Sequence, residues 1–425
     1  MKLRVAASEE PRVALIVQKY GGTSVGDLDR IRSVAARVVR TVESGHRVAV
    51  VVSAMAGDTD RLVALAHELG GDSPPPREYD VLVSTGEQKT IALLAMAIER
   101  LGHGATSFTG SQVGMRTDRA HRRARIQSVE AERILAALDA GRVAVIAGFQ
   151  GVDEHGNVTT LGRGGSDTSA VAVAAAIRAD ACEILTDVDG VLTADPRIVP
   201  AARKLGRVSY DEMIEMASLG ATVLQIRSVM FAMSFGVPLH VRSSFHDGEG
   251  TWVTAEEDVM ERLVVSGITY NRDEAKVRMK GVKDQPGVVG RMFGPLADAG
   301  ITVDMIVQNL ADDGSTDVTF TVPKSEYSQA LERSRAVAAE LGAAEVEGDA
   351  GIAKVSIVGL GMKDHAGVAQ RMFAILGDEG INIQLISTSE IKISVVIEEK
   401  YAELAVRTLH AAFVESGAAE PVAER

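Results

Sequence analysis

The sequence predicts an α/β domain built on a mostly parallel sheet, followed by a duplicated strand-and-helix module. Two observations carry this reading. Up to about Arg242, β-branched runs alternate with Ala/Leu-rich helical stretches, each unit opening on its strand, as parallel sheets with helical crossovers do. Beyond a polar stretch at 245–257 comes an internal repeat, in which residues 275–309 lie over 353–389. Lys283, Gly287, Arg291 and Gly300 recur eighty residues later as Lys363, Gly367, Arg371 and Gly380. A chain of 425 residues has room for about three domains of ordinary size.

Taken in order, 13–18, 47–53, 143–149, 183–186 and 238–242 are short apolar runs of the kind that forms buried parallel strands. Helices are expected over 28–42, 60–69, 89–101, 127–140, 167–177 and 210–219. The interruption 70–76 (GGDSPPP) is a surface loop, because consecutive prolines continue neither helix nor central strand. The first domain is therefore expected over 13–245, with a linker over 246–260. In the repeat, the first copy supplies strand 276–282, a helix, strands 302–309 and 316–322, helix 326–341 and strand 344–348. The second supplies strand 354–358, a helix, strands 382–387 and 392–397 and helix 401–414, which leaves it one strand short. The alternating segment 263–270 is unassigned, and it is expected to complete the second module. Residues 272–350 then form a first module inserted between 261–271 and 351–425.

Composition narrows the function. A net charge of −13 argues against a nucleic-acid footprint, which needs clustered excess cations. The longest purely apolar run, 170–177, is far shorter than the roughly 18 residues of a membrane span, and the first twelve residues lack the apolar core of a secretory signal. A cytoplasmic location and no membrane partner are expected. Cys182 is the one cysteine, and it sits in an apolar run as a small core residue.

Three motifs carry chemistry. Lys19-Tyr20-Gly21-Gly22-Thr23-Ser24 follows a strand, so its glycines let backbone N–H groups approach an anion beside a lysine charge. Leu161-Gly162-Arg163-Gly164-Gly165-Ser166-Asp167-Thr168-Ser169 leads into an apolar helix, with Arg163 suited to a carboxylate and Asp167 to a cation. The run from Thr186-Asp187 to Asp195-Pro196-Arg197 leaves the carboxyl end of a strand, where open α/β sheets bind ligands. None of the nine histidines lies in these motifs.

Together with Ser53-Ala54-Met55, Thr59, Ser84-Thr85-Gly86-Glu87 and Gly148-Phe149-Gln150-Gly151, these motifs resemble the aspartokinase family of the amino-acid-kinase superfamily, and the repeat resembles paired ACT domains. The resemblance implies a three-layer αβα sandwich of the amino-acid-kinase type followed by two βαββαβ (ferredoxin-like) ACT modules. It implies ATP-dependent phosphorylation of L-aspartate to 4-phospho-L-aspartate, the first step toward lysine, threonine and methionine. Carried over by position, Lys19, Arg163 and Asp167 are the catalytic set, and Thr59, Glu87, Arg163 and Asp167 hold aspartate. Lys19, Gly21, Gly22, Thr186, Asp187, Asp195 and Arg197 line the ATP site, with Mg²⁺ bridging the phosphates. In the modules, Asp284, Gly287, Asp304 and Gln308, and Asn382, Ile383, Ser389 and Glu390, fall where the family binds effector amino acids. Val288 stands where some lysine-sensing relatives carry an acid, which favours threonine over lysine as effector. Leu192 and Thr222 depart from the family's usual tyrosine and lysine near the nucleotide. The resemblance also implies a homo-oligomer, or an α2β2 assembly whose small subunit starts internally, with Met260 placed for that start.

Overall fold

The structure, a computed structural model, describes residues 13–218, 223–256, 264–364 and 367–415. Thr222 and Met260 lie outside the described residues. The chain divides into two units.

The first unit opens with β1 (Leu15–Tyr20), α1 (Leu28–Glu43), β2 (Arg47–Val52), α2 (Asp58–Gly70), α3 (Pro76–Val83) and α4 (Thr85–Arg100). Next come β3 (Ala105–Phe108), β4 (Arg116–Thr117), β5 (Ile126–Ser128), α5 (Glu132–Asp139), β6 (Val143–Ala147), β7 (Gln150–Val152) and β8 (Val158–Thr160). It closes with α6 (Gly165–Ile177), β9 (Ala181–Thr186), β10 (Arg207–Ser209), α7 (Tyr210–Ser218), α8 (Ile226–Phe235), β11 (Leu239–Ser243) and β12 (Thr251–Thr254). Eight strands form one sheet in the order β10-β12-β11-β9-β1-β2-β6-β3, parallel except where β11 meets β12. A smaller sheet, β5-β4-β7-β8, stands beside it. The five expected strands are all members of the large sheet. β2 and β6 are buried along almost their whole length, and Val48, Val50, Val52, Val143 and Val145 pack with Ile31, Val38, Leu94 and Ile98 of α1 and α4.

Two local expectations fail here. The helix expected over 127–140 begins only at Glu132, because 127–128 belong to β5 (Ile126–Ser128), which pairs with β4. Thr85-Gly86-Glu87, expected ahead of a helix, forms the first turn of α4, which continues α3 with a change at Ser84. The stretch Pro76–Arg100 is, among the described residues, the one helix long and apolar enough to cross a membrane, and half of its apolar window is buried in the protein interior.

The second unit contains β13 (Gly267–Lys283), α9 (Val288–Asp298), β14 (Ile306–Leu310), β15 (Ser315–Val322), α10 (Tyr327–Leu341) and β16 (Glu345–Val358). It continues with α11 (Val368–Asp378), β17 (Leu385–Thr388), β18 (Lys392–Glu398) and α12 (Ala402–His410). One six-stranded antiparallel sheet runs β14-β15-β13-β16-β18-β17. The sequence suggests four separate strands at its centre, and the structure has two long ones. β13 and β16 pass through both halves of the sheet, with register irregularities between Asn271 and Lys276 where one half gives way to the other. Residues 267–271 pair with 354–358, which also pair with β18, and 276–280 pair with 345–349.

This unit also takes in residues 192–203. Ala194, Ile198 and Val199 join Val355, Ile357, Met372, Leu376 and Leu409 in one hydrophobic cluster. The chain thus leaves the first unit at Val191 and returns at Lys204.

Candidate active site

Strands β9, β1, β2 and β6 are parallel neighbours, so the loops that follow them gather at one edge of the sheet, the edge where ligands bind in open α/β folds. Lys19 is the penultimate residue of β1, level with Ile184 of β9 and Val51 of β2. Its ammonium lies 2.5 Å from the carboxylate of Asp167, and each side chain is only 11% exposed. Asp167 stands in the first turn of α6, where the unpaired N–H groups of the helix favour a negative charge. The helix starts so abruptly because Gly164 adopts φ +71°, and a Cβ there would stand 2.0 Å from the Gln225 side chain.

Glu87 approaches from α4. Its Oε1 accepts the Ala54 N–H at 3.0 Å, while Oε2 is buried without a partner. Burial pushes this carboxyl from its ordinary 4.5 up to about 7, with Asp58 nearby acting in the same direction. An ammonium is the partner such an oxygen lacks.

A cavity of about 260 Å³ brings together seven residues singled out by sequence, namely Lys19, Gly21, Gly22, Thr59, Glu87, Arg163 and Asp167. Ser53, Phe149 and Ser166 also line it; all three lie within the motifs, but their residue types alone give no role. Phe149 holds φ +68°, unusual for a non-glycine residue, with its N–H bound by Ser169 Oγ at 3.0 Å. Opposed charges and a glycine-lined mouth equip this cavity for a zwitterion beside an anion.

Thr186 ends β9 and Asp187 follows it, both outside the residues that line the cavity, with Asp187 exposed and accepting the Thr186 hydroxyl at 3.2 Å. Asp195 and Arg197 belong to the second unit. Arg197 donates to both carboxylate oxygens of Asp195, with 2.7 Å the shortest contact, and this guanidinium holds the carboxyl below its usual range.

The effector candidates lie on or beside the edge strands β14 and β17, except Asp284 and Gly287, which follow the central strand β13. Asp284 and Gly287 precede α9, with Gly287 capping it at φ +86°, and Gln308 lies on edge strand β14. Asp304, just before that strand, is paired with Lys354, which is buried and also meets Glu274 at 2.8 Å. Asn382 and Ile383 precede the opposite edge strand β17, and Ser389 and Glu390 follow it. Val288, at the first position of α9, is buried.

The model of the amino acid kinase family matches residues 14–243, and that of the ACT domain matches 279–335 and 355–413. The chain is 59% identical over 403 residues to the aspartokinase of Pseudomonas aeruginosa, which covers 94% of this chain and 98% of the relative. It is 49% identical over 415 residues to the aspartokinase of Corynebacterium glutamicum, covering 96% and 98%. Among solved structures, E. coli aspartokinase III in complex with aspartate and ADP superposes with a TM-score of 0.79 at 27% identity, covering 93% of this chain and 99% of that one. The same enzyme in complex with lysine and aspartate, in its T-state, gives 0.74 at 27% identity, covering 94% and 99%.

Proposed function

The chain belongs to the amino acid kinase family as one of its aspartokinases, an enzyme with C-terminal ACT domains, and from that premise we propose that it transfers the γ-phosphoryl group of ATP to the side-chain carboxylate of L-aspartate, giving 4-phospho-L-aspartate. The observation that supports this most is the pairing of Lys19 with Asp167 in the same cavity as the unpartnered Glu87 Oε2.

The attacking group is a carboxylate of reference pKa about 3.9, ionised at neutral pH, so no general base is required. What remains is positioning and charge stabilisation. Arg163 takes the α-carboxylate of aspartate as a planar fork, Glu87 and Asp167 take its ammonium, and Thr59 closes the remaining side. Lys19 then lies beside the transferring phosphoryl, with the Gly21–Gly22 backbone against the phosphates. Thr186 and Asp187, at and just past the end of β9, serve the nucleotide. A Mg²⁺ ion would accompany the nucleotide. When bound, that ion neutralises phosphate charge.

Residues 13–191 and 204–256 are read as the catalytic domain; the linker expected at 246–260 gives up β12 (Thr251–Thr254) to the large sheet, because that strand pairs with β10 and β11. The module at 272–350 is inserted within the one formed by 261–271 and 351–425, a reading supported by the pairing of 267–271 with 354–358. Threonine, lysine or both regulate through the effector candidates named above, with threonine favoured by the buried Val288 and lysine by the T-state relative. Exposed Ile306, Leu310 and Ile386 on the edge strands favour pairing with a second copy. A cytoplasmic location follows from this metabolic role.

Aspartate-dependent ADP release, with glutamate and UMP as controls, tests the reading. Release with aspartate alone supports it. Release with a control substrate instead, or none with any, assigns the chain to another acid kinase or to a silent amino-acid sensor.

A further inference from the structure

Asp80, on α3, is fully buried and accepts hydrogen bonds from two separate segments. From one, His121 Nδ1 approaches at 2.7 Å and the Arg122 N–H lies 3.1 Å from each carboxylate oxygen. From the other, Thr160 donates its N–H at 3.1 Å and its hydroxyl at 2.6 Å. Thr160 ends β8 and is followed at once by Leu161-Gly162-Arg163-Gly164, the turn that carries Arg163 into the cavity.

The two segments meet again two residues beyond Thr160. Gly162 holds φ +75°, and a Cβ there would stand 2.8 Å from the carbonyl oxygen of Arg122, so the glycine turn rests directly on the Arg122 peptide. Arg122 itself holds φ +67°, a conformation that costs a non-glycine residue and persists only where its surroundings fix it. Here its N–H is held by Asp80, its guanidinium donates to the Pro74 carbonyl at 2.7 Å, and it lies over the Tyr79 ring at 4.3 Å.

We propose that Asp80 is a positioning residue for aspartate binding: it fixes the Arg122 peptide and the end of β8 so that Gly162–Gly164 presents Arg163 in place before the substrate arrives. This rests on the reading of Arg163 as the partner of the α-carboxylate. A substrate group held by a pre-set fork is bound without the cost of ordering the loop.

The test is a double-mutant cycle on the full chain, with kcat and both KM values measured for Asp80→Asn, Arg163→Ala and the double variant. Asp80→Asn is expected to raise the aspartate KM roughly tenfold while the ATP KM and kcat stay within about threefold, a split that general loss of structure would not produce. In the Arg163→Ala background the same change is expected to add nothing. An unchanged aspartate KM in folded Asp80→Asn, or effects that multiply in the double variant, overturns the proposal. An unchanged aspartate KM in Arg163→Ala overturns the role of Arg163 and the proposal with it. If Asp80→Asn does not fold, Thr160→Val, which removes one donor to the same carboxylate, is read against the same criteria.

Discussion

Lys19 is held by the group beside it. Its charge is paired with Asp167 at 2.5 Å, and a transferring phosphoryl group would draw it away only as negative charge builds on the equatorial oxygens. Lys19→Ala should therefore lower kcat by roughly two to three orders of magnitude while the aspartate KM moves only a few-fold, as steady-state kinetics will show; a kcat close to the parent's would remove Lys19 from the reaction. Glu87 makes a different prediction. With its carboxyl raised to about 7, it loses the charge that would bind the substrate ammonium as pH falls below that value, so the aspartate KM should climb by up to tenfold per unit under pH 7. The fold responds in the opposite sense. Between 4.5 and 7 the folded protein holds a proton that the unfolded chain has released, so stability declines as pH rises through that window, by on the order of 3 kcal/mol in all. Glu87→Gln should flatten both profiles, and denaturant titrations at pH 5 and 8 check the second.

At the scale of elements, the segment 192–203 is fastened at both ends. The hydroxyl of Thr193 accepts the Arg203 N–H at 2.9 Å and shares a hydrogen bond of 2.8 Å with Nε2 of the fully buried His410, while its carbonyl accepts the Ile268 N–H at 2.8 Å. Nδ1 of His410 is 3.0 Å from Glu415. Removing the imidazole strands Thr193 and opens a cavity, so His410→Ala should destabilise the second unit by about 2 kcal/mol, seen as a lowered midpoint in thermal unfolding. How much of this was readable beforehand depends on the range of the forces involved. Strand runs such as 47–52, the glycine turns after β1 and before α6, and the repeat at 275–389 are local patterns, and the motifs delivered seven cavity residues together. The rest turns on partners distant in sequence. Residues 126–128 become a strand through β4, the four short strands of the repeat merge because each finds a neighbour for its whole length, and Asp80 matters through residues forty and eighty positions away. Nor does the spacing of Asp195 and Arg197 say which core Ala194, Ile198 and Val199 will enter.

For the molecule as a whole, the two units share one chain in an interleaved order, since 192–203 lies between stretches of the first unit and yet packs with the second. If a protease site is engineered within 257–263 and cleaved, the two pieces should still elute together in gel filtration, because the earlier piece keeps Ala194, Ile198 and Val199 within the later one's core. Ile198→Asp with Val199→Asp should let them part, since each buried aliphatic side chain contributes roughly 1.5–3 kcal/mol. Separate elution of the cleaved parent would show that the cluster does not hold them. The same cluster bears on gene expression. A short chain translated from codon 260 would fold around a core whose filling is encoded upstream, leaving an apolar notch open to the surface unless a long chain supplied the missing side chains. Were both forms made, their ratio would govern how much short chain stays in solution, tying its yield to a three-residue contact.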